Sequence, residues 1–120
     1  MPNNSPEETI SAFVQCVQAQ DLSGLLALYE TDALFIPALN TRVEGHAALG
    51  EAFRSTLALK PALDVKPVEV LRNGRLAWIE NAWTLHATAP DGTPIERSGH
   101  SSVVMRRQDD GTWRIAIDRL

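Results

Sequence analysis

The second half of the chain constrains the fold most, because two turn signals there set a register for the strands around them. Pro61 breaks what precedes it, and from Leu63 onward the residues alternate or run apolar between Gly-containing turns. Pro90-Asp91-Gly92 and Asp109-Asp110-Gly111 each read as a three-residue hairpin loop, a type I turn followed by a left-handed Gly. Pro90 suits the first loop position and lacks the N–H that a two-residue loop would need there. Pairing Ala89 with Thr93 then sets Trp83 opposite Gly99, Ile79 opposite Val103 and Ala77 opposite Met105. Pairing Gln108 with Thr112 sets Ile115 opposite Met105 and Ile117 opposite Val103. Asn73-Gly74 predicts a further two-residue hairpin between a strand over 63–70 and a long strand over 76–89. Pro67 marks the 63–70 strand as an edge or a bulge.

That register sorts the side chains onto two faces. One face carries Ala77, Ile79, Trp83, Leu85, Ile95, Val103, Met105, Trp113, Ile115 and Ile117, and is the core face. The other carries Trp78, Glu80, Ala82, Thr84, His86, His100, Ser102, Val104, Ala116 and Asp118. Trp78, Ala82, Val104 and Ala116 are too apolar for a plain solvated surface, so a second subunit is expected to cover this face, with His86 and His100 inside the contact.

The first half reads as helices. Ser5-Pro6-Glu7-Glu8 is a start signal, with Ser5 as cap, Pro6 at the first position and Glu8 closing a capping box. Ile10, Phe13, Val14 and Val17 follow the spacing of one buried stripe. Asp21 caps a second helix, expected from Leu22 to about Tyr29 with Leu22, Leu25, Leu26 and Tyr29 inward. Ala33-Leu34-Phe35-Ile36 is a short strand stopped by Pro37, and Arg42-Val43-Glu44 can return beside it. A third helix is expected from about His46 to Leu59, with Leu49, Phe53 and Leu57 stacked. The result is an α+β domain, three N-terminal helices packed into a strongly curved antiparallel sheet, taken as one domain over residues 1–120.

Bulk properties narrow the function. Apolar residues make up 44% and charged residues 22%, ordinary for a globular protein, and the net charge is −4. Without a run of Lys or Arg there is no phosphate-neutralising stripe, so no nucleic-acid partner is expected. The apolar runs fall short of the roughly 20 residues that span a bilayer, so no membrane partner is expected either. The polar, acidic N-terminus is unlike a signal peptide, and Cys16 is alone. A cytoplasmic location is the default expectation.

With these residues in place the chain resembles the nuclear-transport-factor-2-like superfamily. The resemblance is carried by Gln20-Asp21-Leu22, Leu28-Tyr29, Asp32-Ala33 and Val43-Glu44-Gly45. Val104-Met105-Arg106-Arg107-Gln108 and Asp110-Gly111-Thr112-Trp113-Arg114-Ile115 resemble its SnoaL-like and ketosteroid-isomerase-like branch. The resemblance implies a cone-shaped α+β barrel, open at one end and commonly dimeric through the outer face of the sheet. It also allows a position-by-position test. Ketosteroid isomerases use an oxyanion-binding tyrosine, an aspartate base and a protonated acid, at positions that hold Phe13, Ile36 and Val103 here. None of these can move a proton, so that mechanism is not expected. SnoaL-like cyclases use an acid late in the chain, which Asp118 matches in position, yet the register above turns Asp118 outward.

For the pocket, the expected lining is Trp83, Val103, Met105, Ile115 and Ile117, with Asn81 and Ser101 as a buried polar pair, Tyr29 as a hydroxyl and Asp32 as an acid near the mouth. His46, His86 and His100 lack metal-ligand spacing, and no metal, nucleotide or flavin is implied. Cys16 reads as a packing residue. Two functions stay open. One is a homodimer binding a small apolar metabolite, as an isomerase, cyclase or dehydratase without a cofactor. The other is a non-catalytic dimeric association or adaptor module. No catalytic residue is assigned from the sequence.

Overall fold

A computed structural model describes residues 3–120. Helix α1 spans Pro6–Gln18, and the Ser5 hydroxyl caps it by accepting from the Glu8 N–H at 3.1 Å. Helix α2 spans Leu22–Ala27, capped by the Asp21 carboxylate, which accepts from the Gly24 N–H at 2.9 Å. Strand β1 (Tyr29–Ile36) and the short β2 (Val43–Glu44) follow, then helix α3 over Gly45–Ala58. The rest is β3 (Ala62–Asn73), β4 (Leu76–Thr88), β5 (Pro94–Arg107) and β6 (Trp113–Arg119). All six strands form one curled sheet in the order β2-β1-β6-β5-β4-β3, with the β1–β6 pair parallel.

Both three-residue turns form. The Ala89 N–H donates to the Thr93 carbonyl at 2.8 Å and the Gln108 N–H to the Thr112 carbonyl at 2.7 Å. Gly92 and Gly111 sit at φ 86° and 87°, a region that L side chains avoid. β4 and β5 therefore pair as the turns dictate, with Trp83 opposite Gly99, Ile79 opposite Val103 and Ala77 opposite Met105. The β3–β4 hairpin differs by one residue. Its loop is Gly74-Arg75, with Asn73 already paired to Leu76 and only Gly74 at positive φ, the II′ pattern. β3 is an edge strand, and its register shifts between Pro67 and Glu69. Pro67 has no N–H to give the ladder, which both positions tolerate.

Two expectations are corrected. Helix α2 ends before Tyr29, which is instead the first residue of β1 and pairs with Ile115. Tyr29 still points inward, so the apolar spacing located its burial but not its secondary structure. The larger correction lies in β6. Met105 pairs with Ile115 as expected, but Val104 pairs with Ile117 and Val103 with Asp118, leaving Ala116 as the extra residue of a bulge. Beyond the bulge every side chain changes face. Ile117 is thereby turned to the outside, 38% exposed, and Asp118 to the inside, 5% exposed. Ala116, expected to share the outer face, sits at the bulge itself.

The core lies between the helices and the inner face. Phe53 of α3 stands at its centre, with ring centroids 5.0 Å from Phe35, 5.8 Å from Tyr29 and 6.4 Å from Phe13. Leu25, Leu49, Ile79, Met105 and Ile115 are fully buried around this cluster. Among the described residues no helix is long and apolar enough to cross a membrane.

Candidate functional site

The concave face of the sheet and the facing sides of α1 and α3 enclose a cavity of about 530 Å³, the size of an ordinary small-molecule site. Its walls are mainly apolar: Phe13 and Val17 from α1, Phe53 and Leu57 from α3, and Val103 and Ile115 from the sheet. Few polar side chains reach it, chiefly Asn81, Ser101, Arg97 and Asp118.

The sharpest polar feature is the Tyr29–Asp118 pair. The Tyr29 hydroxyl donates to Asp118 Oδ2 at 2.6 Å, and both residues are buried. Asp118 lines the cavity, and among the described residues nothing pairs with its second oxygen. Burial pushes its carboxyl up from an ordinary 3.8 to about 6, with the Tyr29 hydrogen bond pulling the other way. Burial, reinforced by the neighbouring Asp118 carboxylate, raises the Tyr29 hydroxyl well above its ordinary value. Tyr29 is thus a fixed donor, and Asp118 is the group that changes charge near neutrality. The Tyr29 carbonyl is in turn 3.0 Å from His46 Nε2, tying the start of β1 to the start of α3.

Asn81 and Ser101 face each other as expected, with the Asn81 amide 3.3 Å from the Ser101 hydroxyl. Asn81 Oδ1 and the indole N–H of Trp83, two residues along the same strand, are buried without partners among the described residues. The Trp83 indole lies over Gly99, where a Cβ would come within 3.2 Å of the ring, so the glycine makes room for the platform.

Of the residues expected at the pocket, Asn81, Trp83, Ser101, Val103 and Ile115 line the cavity. Tyr29 reaches it through Asp118, and Met105 is buried in the core beside it. Asp32 is exposed on β1, in the stretch where the β1–β6 register shifts, and Ile117 lies on the opposite face; neither contributes to the cavity. Asp118 is what the strand alternation did not deliver, and Arg97 is a lining residue left unnamed. The register shift at Ala116 carries no signal in apolar period, and position within the family was the only pointer to Asp118. Arg97 has the same strand parity as Ile95 and could have been read as inward. Phe13 and Val103 line the cavity as apolar groups, and so does Pro37, which follows Ile36. Among the described residues no cluster of three or more His, Cys, Asp or Glu is gathered as metal ligands would be. His86 pairs with Glu96 on the outer face at 3.3 Å, and His100 is exposed there opposite Ala82.

The SnoaL-like domain family matches residues 10–116. The chain belongs to this family. Similar solved structures include a ketosteroid isomerase-like protein from Erwinia carotovora atroseptica, 17% identical, with a TM-score of 0.82 over 94% of this chain and 89% of that one. A protein of the NTF2-like family from Streptomyces avermitilis, named as a candidate dehydratase, is 14% identical, with a TM-score of 0.80 over 92% and 89%. A protein from Thiobacillus denitrificans, named for the association domain of calcium/calmodulin-dependent protein kinase type II, is 24% identical, with a TM-score of 0.78 over 96% and 92%. At these identities the likeness is one of fold. Among curated proteins nothing matches the chain.

Proposed function

We propose that this SnoaL-like chain binds a small apolar molecule in its cavity and moves a proton on it through Asp118, as an isomerase, cyclase or dehydratase working without a cofactor. The observation that carries this reading is the buried Asp118 at the cavity wall, held by Tyr29 and titrating at about 6. A carboxyl poised there is present in both forms near neutrality, so it can take a proton from carbon and return it to a neighbouring atom or a leaving oxygen. The apolar walls favour a substrate that is itself largely apolar and keep water from competing for the proton. Tyr29 orients the carboxyl and stabilises its charged form, and Asn81 and Ser101 provide polar contacts along the wall.

The reading takes the whole chain, 1–120, as one SnoaL-like domain. It places the chain in the cytoplasm, where a free thiol such as Cys16 is at home. It also has the chain as a homodimer. Leu71, Trp78, Val104, Ile117 and Leu34 pair in succession across five strands and form one apolar row on the outer face. Trp78 and Ile117 in this row are 46% and 38% exposed, a suitable surface for a second copy. That row equally suits the second reading, a non-catalytic dimeric association module. The open cavity of ligand size favours the first.

The test is a thermal-shift screen of small apolar carbonyl compounds against the wild type and Asp118→Asn, followed by NMR of the hits in deuterated water. The expected result is stabilisation by some compounds, with deuterium entering next to their carbonyl only when Asp118 is present. A screen without a single stabilising compound would sink the binding reading. Deuterium uptake that persists in the variant would remove Asp118 from the chemistry.

A further inference from the structure

At the far end of the cavity from Asp118 stands Arg97, the one cation among the described residues that line it. It pairs across the β4–β5 hairpin with Leu85, on the inner face, and lines the cavity with Leu63, Leu85 and Ile95. Of the other arginines, Arg42 meets Glu44, Arg54 meets Glu51, Arg72 meets Glu7, Arg75 meets Asp109 and Arg106 meets Glu30, while Arg107, Arg114 and Arg119, which make no ion pair among the described residues, lie outside the cavity lining. Arg97 lines the cavity and makes no ion pair among the described residues, donating to the backbone carbonyl of Glu96 at 3.0 Å while the Glu96 carboxylate meets His86 on the other face. A guanidinium is charged at any working pH, so the cavity has a permanent positive end and, at Asp118, a switchable acidic one.

We infer that Arg97 anchors the carboxylate of an amphipathic ligand whose apolar body runs along Leu85, Ile95 and Trp83 toward Asp118. This rests on the binding function proposed above and adds the class of ligand, a medium-length apolar carboxylic acid. A single guanidinium suits a single negative charge. The net charge of −4 and the Asp118 carboxylate work against anything more negative, such as a phosphate ester.

The spacing gives a length. Arg97 lies six residues from Val103, the partner of Asp118, which is on the order of 20 Å along the strand. The reach of the arginine stem and of the aspartate shortens the gap between the charged groups to roughly 10–15 Å. An extended chain of about ten carbons spans it. Because Arg97 is exposed, the anchor is expected to act as a surface ion pair does, improving affinity by up to about fivefold and weakening in salt.

The experiment is calorimetric titration of the full chain with decanoate, hexanoate and the neutral 1-decanol, each below its aggregation limit, at low and high salt. The variants are Arg97→Gln and Arg97→Lys, with melting temperature as the folding control. The expected result is decanoate binding about fivefold more tightly than decanol, and more tightly than hexanoate. That preference should vanish in Arg97→Gln and partly return in Arg97→Lys. Equal binding of decanoate and decanol by the wild type, or a preference surviving in Arg97→Gln, overturns the anchor while leaving the apolar cavity reading intact. Binding of none of the three overturns both.

Discussion

Asp118→Asn is the substitution whose effect can be worked out most fully, because the buried carboxyl couples folding to pH. Its carboxyl titrates at about 6 when folded and near 3.8 when free in water. Between those values the folded chain holds a proton that the unfolded chain has lost. Stability contributed by this group therefore falls as pH rises from about 4 to about 6 and is flat above. At 1.36 kcal/mol for each unit of pKa, the folded state loses about 3 kcal/mol across that window. An asparagine keeps an oxygen for the Tyr29 hydroxyl and never ionises. The variant is expected to match the wild type near pH 4 and to exceed it by up to about 3 kcal/mol near pH 7.5. The assay is urea unfolding of both proteins at several pH values, with the difference between the two curves as the readout. Exposed acids such as Asp91 and Asp110, whose carboxyls are lowered by hydrogen bonds to Thr93 and Thr112, push the other way with pH but cancel in that difference. Parallel stability curves for wild type and variant would refute the buried, protonated Asp118.

Three further variants test the surrounding structure. Tyr29→Phe removes the 2.6 Å donor, and the midpoint of the Asp118 titration, followed by carbonyl-carbon NMR, is expected to move further up; a downward move would contradict the role of the hydroxyl. Unfolding of the same variant at neutral pH is expected to show a loss of about 1–3 kcal/mol for the unpaired carboxylate. Gly99→Val places a side chain against the Trp83 ring and is expected to cost about 1–3 kcal/mol in denaturant unfolding, and ligands that stabilise the wild type should bind less well. Trp78→Ser with Ile117→Glu breaks the outer apolar row, so light scattering should report a monomer, and the melting temperature should fall and lose its dependence on protein concentration.

Where local chemistry alone decides a feature, the residues announced it. Ser5 and Asp21 cap helices, and the loops at Pro90–Gly92 and Asp109–Gly111 close with the pairings that their glycines require. Features decided by the closing of the cone were not legible in the same way. Tyr29 has helical spacing from Leu22, Leu25 and Leu26, yet it pairs with Ile115 because β1 must lie beside β6. The Gly74-Arg75 loop is displaced by one residue from Asn73-Gly74, since both dipeptides supply a permissive glycine and the register of the paired strands chooses between them.

The bulge at Ala116 had the largest consequence for the site, and it accounts for two surfaces at once. In strict alternation Ile117 would point into the cavity and Asp118 out to solvent, giving a wholly apolar floor and an ionised acid on the outer face. One extra residue reverses both. It carries Asp118 to the Tyr29 hydroxyl, where burial raises its pKa into the range useful for proton transfer. It also sets Ile117 between Val104 and Leu34, completing the outer apolar row. Deleting Ala116 removes the extra residue and lets Ile115, Ile117 and Asp118 alternate directly opposite Met105, Val104 and Val103, the partners they already have. The deletion variant is therefore expected to keep both the buried titration near pH 6, followed by carbonyl-carbon NMR, and the outer apolar row, followed by light scattering. Loss of both would show that Ala116 does more than shift the alternation of the strand.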